Sequence, residues 1–76
     1  MSEKLPLISC HKLVKFLEKE GFISVRQSGS HRIFKHLDGR MTVVPIHNNK
    51  EIGRGLLKAI LEEINISRDY FLKNYK

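Results

Sequence analysis

The side chains in this 76-residue chain with most chemistry to offer are four histidines, His11, His31, His36 and His47. Imidazoles exchange protons near neutral pH and ligate metals. Metal binding needs several ligands to converge. No His-x-x-x-His spacing, cysteine pair or carboxylate triad accompanies these four, so neither a metal nor a cofactor is expected. His31 has the distinctive setting. Gly29-Ser30-His31 places it just past a tight turn, at the start of a strand, in a polar stretch with Arg26, Arg32 and Lys35 around it. An imidazole held by rigid backbone beside cations suits proton transfer at a phosphodiester. RNA supplies its own nucleophile, the 2′-hydroxyl. Cleaving it takes a base or an acid, plus positive charge to stabilise the phosphorane-like transition state. The products would be a 2′,3′-cyclic phosphate and a 5′-hydroxyl. On spacing alone a second reading stays open, in which His31 merely ends a strand and bonds to a neighbour.

Other polar groups are less telling. His36, beside a turn, and His11, in a first helical turn, read as surface residues. The lone Cys10 lies on an apolar stripe, where a small buried hydrophobe is the expected role rather than an exposed thiolate. Lys50, Arg54 and Lys58 run into a helix N-terminus, where backbone N–H groups favour phosphate. With Arg32, Lys35 and Arg40 they could line a nucleic-acid strip, or simply form a solvated charged face. Phe34, Tyr70, Phe71 and Tyr75 could stack bases, core packing being the alternative use.

The elements that must hold these residues are legible from pattern. Ser9 caps a first helix whose Cys10, Leu13, Val14 and Leu17 recur at helical spacing, and Gly21-Phe22 closes it. Ile23 to Gln27 alternates, and Ser28-Gly29 signals a turn. Asp38-Gly39 reads as a two-residue hairpin turn between His31–Leu37 and Arg40–Pro45. In that register Leu37 faces Arg40, Ile33 faces Val44, Phe34 faces Val43 and His31 faces Ile46. His31, Ile33, Lys35, Thr42 and Val44 then share one face, and Arg32, Phe34, His36, Met41 and Val43 the other. His47 opposes Ser30 and points away from His31, so no base/acid pair of these two is expected. Leu56, Leu57, Ile60, Leu61 and Ile64 mark a second helix. Asn48 or Asn49 could cap it, although its start could fall as late as Gly55; Asn65 closes it. Ser67 caps a short terminal helix. The sum is an α+β fold of order α-β-β-β-α, a three-stranded antiparallel sheet with helices on one face, followed by a short C-terminal helix.

Composition sets the outer limits. Hydrophobic residues make up 41% and charged residues 29%, ordinary values for a globular chain. With neither a linker nor a repeat, residues 1–76 read as one domain. Fourteen Lys and Arg against eight Asp and Glu give a net charge of +6, which points to an anionic partner, nucleic acid first. No apolar run approaches the roughly 20 residues of a membrane span. Met1 to Lys4 lack the apolar stretch of a signal peptide, so the expected location is the cytoplasm. One cysteine excludes an internal disulfide framework.

In order and spacing, several segments resemble the HicA-type toxin family. They are Gly21-Phe22, Gln27-Ser28-Gly29-Ser30-His31, Asp38-Gly39-Arg40, Val44-Pro45-Ile46-His47 and Lys50-Glu51-Ile52 with Gly55 and Leu57. The resemblance covers about Pro6 to Phe71. It implies a double-stranded-RNA-binding-domain-like fold and a toxin that cleaves mRNA, halting translation and growth. It implies that His31, in the Gly-Ser-His element, is the catalytic residue. It also implies a HicB-type antitoxin protein that binds the toxin and covers that histidine; the free toxin is expected to be a monomer. The family pattern departs at Asn48-Asn49-Lys50 and Gly53-Arg54, where RNA contact by the loop is open. The resulting expectation is a metal-independent endoribonuclease with His31 as general acid or base. Gly29, Ser30, Arg32, Lys35, Lys50 and Arg54 are expected to contact RNA. The alternative is a non-catalytic RNA-binding module of the same fold.

Overall fold

A computed structural model describes residues 4–47 and 50–76. The element order is β1 (Ile8–Ser9), α1 (Cys10–Lys19), β2 (Ile23–Ser28), β3 (His31–Lys35), β4 (Met41–Pro45), β5 (Glu51–Ile52), α2 (Arg54–Glu63) and α3 (Arg68–Asn74). This is the expected α+β order, compatible with a double-stranded-RNA-binding-domain-like fold.

The helix ends follow from local chemistry. The Ser9 hydroxyl accepts from the Lys12 N–H at 3.1 Å, satisfying one of the free donors of α1. At its other end Gly21 takes φ +95°. The Gly21 N–H then reaches the Glu18 carbonyl at 3.1 Å, and the Phe22 N–H reaches that of Leu17 at 2.9 Å. Asn65, at φ +58°, repeats this at the end of α2, with Ile66 N–H bonding to Leu61 at 2.9 Å. Ser67 caps α3 through the Tyr70 N–H. The start of α2 falls at Arg54, after Gly53; the expected caps Asn48 and Asn49 lie outside the described residues. Of the second stripe, Leu57, Ile60, Leu61 and Ile64 are buried, whereas Leu56 is exposed. A two-stranded ribbon of β1 with β5, unsignalled in the sequence, pairs Ile8 with Ile52 and Ser9 with Glu51.

The hairpin register differs from the sequence expectation. His31 opposes Pro45, Arg32 opposes Val44, Ile33 opposes Val43, and Phe34 opposes Thr42. Asp38-Gly39 does mark the turn, but the loop has three residues, Leu37 to Gly39. The Gly39 N–H bonds to the His36 carbonyl at 2.9 Å, Gly39 takes φ +100°, and the His36 N–H closes onto the Arg40 carbonyl at 2.8 Å. A type I turn followed by a left-handed glycine is the usual three-residue hairpin. The extra residue slips β4 by one position, and a one-residue slip exchanges its two faces. Phe34, Thr42 and Val44 therefore face the helices together and are almost fully buried. Thr42 and Val44 do not share His31's face, as the two-residue turn would require.

Those three residues close a core with Leu13, Phe16 and Leu17 of α1, Leu57, Ile60 and Leu61 of α2, and Phe71 of α3. Phe16 and Phe71 meet edge to face at 4.8 Å. The buried Thr42 hydroxyl donates to the Glu63 carboxylate at 2.7 Å and ties β4 to α2.

Candidate active site

Among the described residues, no helix covers the sheet's other face. It holds Ile23, Val25, Met41 and Val43, which are 56, 55, 51 and 41% exposed. His31, Ile33 and Lys35 share that face by alternation along β3, since Phe34 points into the core.

His31 is exposed and opens β3. It follows a two-residue turn, with Ser28 paired directly to His31 and Gly29 at φ +59°. A glycine at the first turn position with positive φ suits the twist of the flanking strands. Gln27 Nε2 donates to the Gly29 carbonyl at 3.2 Å, and the Ser30 carbonyl accepts from the Ile46 N–H. The turn is thus fixed from both sides, while a Cβ on Gly29 would meet nothing within 4 Å. The histidine is held on its backbone and open at its ring.

The cations expected near His31 divide by face. Arg32, its immediate neighbour, turns to the helix side, where its guanidinium lies 5.8 Å from the Phe34 ring centroid. Lys35 is exposed on His31's face, four residues along β3, about 13 Å at roughly 3.3 Å per residue. Arg26 comes closer. A bulge between Ser24 and Arg26 leaves Arg26 paired with Ile33, on the open face and only about 7 Å along the strand from His31. An uninterrupted ladder from the Ile23–Lys35 pair would have set Arg26 against Arg32, facing the helices. Nothing in the alternation of Ile23 to Gln27 announces the bulge. Lys50 is exposed, its N–H directed at the His47 carbonyl at 3.4 Å. Arg54 at the head of α2 spends its Nε on the Leu5 carbonyl at 2.6 Å.

The remaining expected surface residues resolve differently. His36 is half-buried, with its ring 5.1 Å from that of Phe22 and filling the space a side chain on Gly21 would need. Its Nδ1 accepts from the Asp38 N–H at 3.1 Å, which makes it part of the hairpin loop. Arg40 takes up Asp38 there through N–H and Nε, at 3.0 and 2.8 Å. These bonds, the backbone one foremost, hold the Asp38 carboxyl below the usual carboxylate range. His11 is exposed as expected. Cys10 is buried, and its thiol donates to the His47 carbonyl at 3.4 Å. Phe34 and Phe71 are core residues. Among the described residues no three His, Cys, Asp or Glu side chains group as a metal site, and no helix is long and apolar enough to cross a membrane.

Fold and site together define a small basic α+β domain that presents one turn-anchored histidine on an uncovered sheet face. A family model described as the HicA toxin of bacterial toxin-antitoxin systems matches residues 10–66, and the chain belongs to that family. It is thus the toxin of a toxin–antitoxin pair and has a cognate antitoxin as partner. No curated protein matches the chain.

Proposed function

We propose that this toxin is a metal-independent endoribonuclease that cleaves mRNA in the cytoplasm and thereby stops translation and growth. The observation that carries the reading is the exposed His31 ring, on a rigid turn and on one face with Arg26 and Lys35. His31 takes the 2′-hydroxyl proton or gives one to the departing 5′-oxygen. The 2′-oxygen–phosphorus bond forms as the bond to the 5′-oxygen breaks, leaving a 2′,3′-cyclic phosphate and a 5′-hydroxyl. Arg26 stabilises the added negative charge on the phosphate. Gly29 and Ser30 admit the backbone closely, while Lys35 and Lys50 hold flanking phosphates; Arg32, over Phe34 on the helix side, and Arg54, bonded to the Leu5 carbonyl, are engaged elsewhere.

Incubating the pure toxin with labelled mRNA in EDTA tests this directly. The wild-type chain should shorten the RNA. His31→Ala should stay folded, lose about 10²–10⁴ in rate and no longer arrest growth. A variant that cuts at the wild-type rate overturns the assignment. RNA shifted intact by the wild type makes the chain a binding module.

The same face suits the antitoxin. Ile23, Val25, Met41 and Val43 offer exposed apolar contacts around His31, and the net charge of +6 attracts an acidic protein. An antitoxin seated there covers the histidine. Val43→Ser, which adds no charge to this face, should keep RNA cleavage yet weaken neutralisation, measured as residual activity at increasing antitoxin. Unchanged neutralisation would place the antitoxin elsewhere.

A further inference from the structure

The slipped hairpin register changes what stands beside His31. A two-residue turn would set His47 against Ser30, pointing away from His31. The observed ladder instead pairs His31 with Pro45 and continues one step further, with the Ile46 N–H bonded to the Ser30 carbonyl. Ile46 packs against the core, on the same side as Val44. The next residue, His47, therefore turns to the open face, two positions beyond the residue opposite His31, and it is exposed. Its backbone is held on the far side, where its carbonyl accepts from the buried Cys10 thiol at 3.4 Å. Diagonal positions on neighbouring antiparallel strands lie about 7–8 Å apart, a span that two imidazoles can bridge around one phosphate.

Pro45 makes this arrangement possible without cost to the ladder. β4 is an edge strand, and its bonds to β3 run through Thr42, Val44 and Ile46. Pro45 occupies the alternate position, where an N–H would point away from the sheet. The strand can thus carry a proline opposite His31 and still deliver His47 in register.

We infer that His31 and His47 form a general acid–base pair, which rests on the nuclease reading above and extends it from one proton carrier to two. One imidazole removes the 2′-hydroxyl proton as the 2′-oxygen attacks phosphorus. The other, protonated, delivers its proton to the 5′-oxygen as the phosphorus–oxygen bond breaks. The pair ends with its protons exchanged and regains its starting state through solvent. Arg26 and Lys35 are the charged groups on this face of β2 and β3, Met41, Val43 and Pro45 being its β4 members.

The test is the pH dependence of single-turnover cleavage of a labelled mRNA by wild type, His31→Ala, His47→Gln and His47→Asn. Affinity is measured in parallel on the same RNA carrying a 2′-deoxy sugar at the cut site. A pair predicts a bell-shaped wild-type profile. Both His47 variants should keep their melting temperature and RNA affinity, lose about 10²–10⁴ in rate and retain only one limb of the bell. The limb that disappears tells base from acid. His47 variants with the full bell at wild-type rate overturn the pair while leaving the His31 reading intact. A rate loss matched by an equal affinity loss, with both limbs kept, also overturns it and makes His47 a binding residue. A wild-type chain that leaves the RNA whole removes both readings together.

Discussion

At the scale of single residues, face and distance separate cations that composition alone leaves equivalent. Arg32 adjoins His31 in sequence but sits on the helix side over Phe34, whereas Arg26 shares the open face about 7 Å along the strand. Lys35 shares the face but lies nearly twice as far along β3 from His31. Arg26→Ala should therefore lower the cleavage rate more than RNA affinity. Lys35→Ala should chiefly weaken binding and flatten its salt dependence by about one counterion. Rate and affinity across a salt series check this, and equal effects of both variants on rate would refute the division. The placement of His31 after a tight turn was legible in the sequence because a glycine turn and a strand start are local signals, whereas a role for it came from the family resemblance. Arg26 was visible only as a nearby charge. Its placement depends on a bulge, which arises from pairing between strands rather than from the residues of either strand.

At the scale of elements, the helix ends were readable except for the start of α2, and the register of β3 with β4 was not. Ser9, Ser67, Gly21 and Asn65 act through bonds spanning three to five residues, so sequence specifies them nearly completely. The second hairpin turns on a choice between a two- and a three-residue loop, and Asp38-Gly39 is compatible with both. What decides it is tertiary: Phe34, Thr42 and Val44 bury together only in the slipped register. The loop is further fixed by Asp38, whose carboxylate accepts from Arg40 N–H and Nε, while Arg40 reaches on to the Ile64 carbonyl at 2.7 Å. Because folding lowers the Asp38 pKa, the unfolded chain binds the proton more tightly in acid. The resulting stabilisation is complete above the unfolded value and fades as pH falls through the folded one. Asp38→Asn should thus cost stability at neutral pH and cost little once the carboxyl is protonated in both states. Melting temperatures across the acid range check it: wild type and variant should converge as pH drops, and a constant gap would show that Asp38 acts by shape alone.

At the scale of the molecule, the open face with His31 and the core occupy opposite sides of one thin sheet, so the toxin can leave one side bare only if the other is firmly closed. The family match ends at residue 66, yet α3 beyond it supplies Phe71, which is fully buried against Phe16. Tyr75 stacks on Phe71 at 4.8 Å, and the Tyr70 hydroxyl donates to Glu20 at 2.9 Å. Removing a buried phenylalanine side chain typically costs about 3–5 kcal/mol. A chain of this size typically has only about 4–11 kcal/mol in total, at roughly 0.05–0.15 kcal/mol per residue. Phe71→Ala should therefore consume a large share of the stability, and a chain ended after Ile66 should lose cooperative unfolding, because Phe16 on α1 would face water. Since α1 and α2 brace the back of the sheet whose strand β3 carries His31, truncation should abolish cleavage by loosening the sheet, although α3 packs on the core side. Thermal melts and cleavage assays on both variants check this together. A truncated chain that melts cooperatively and still cuts RNA would show that the first two helices alone suffice to close the core.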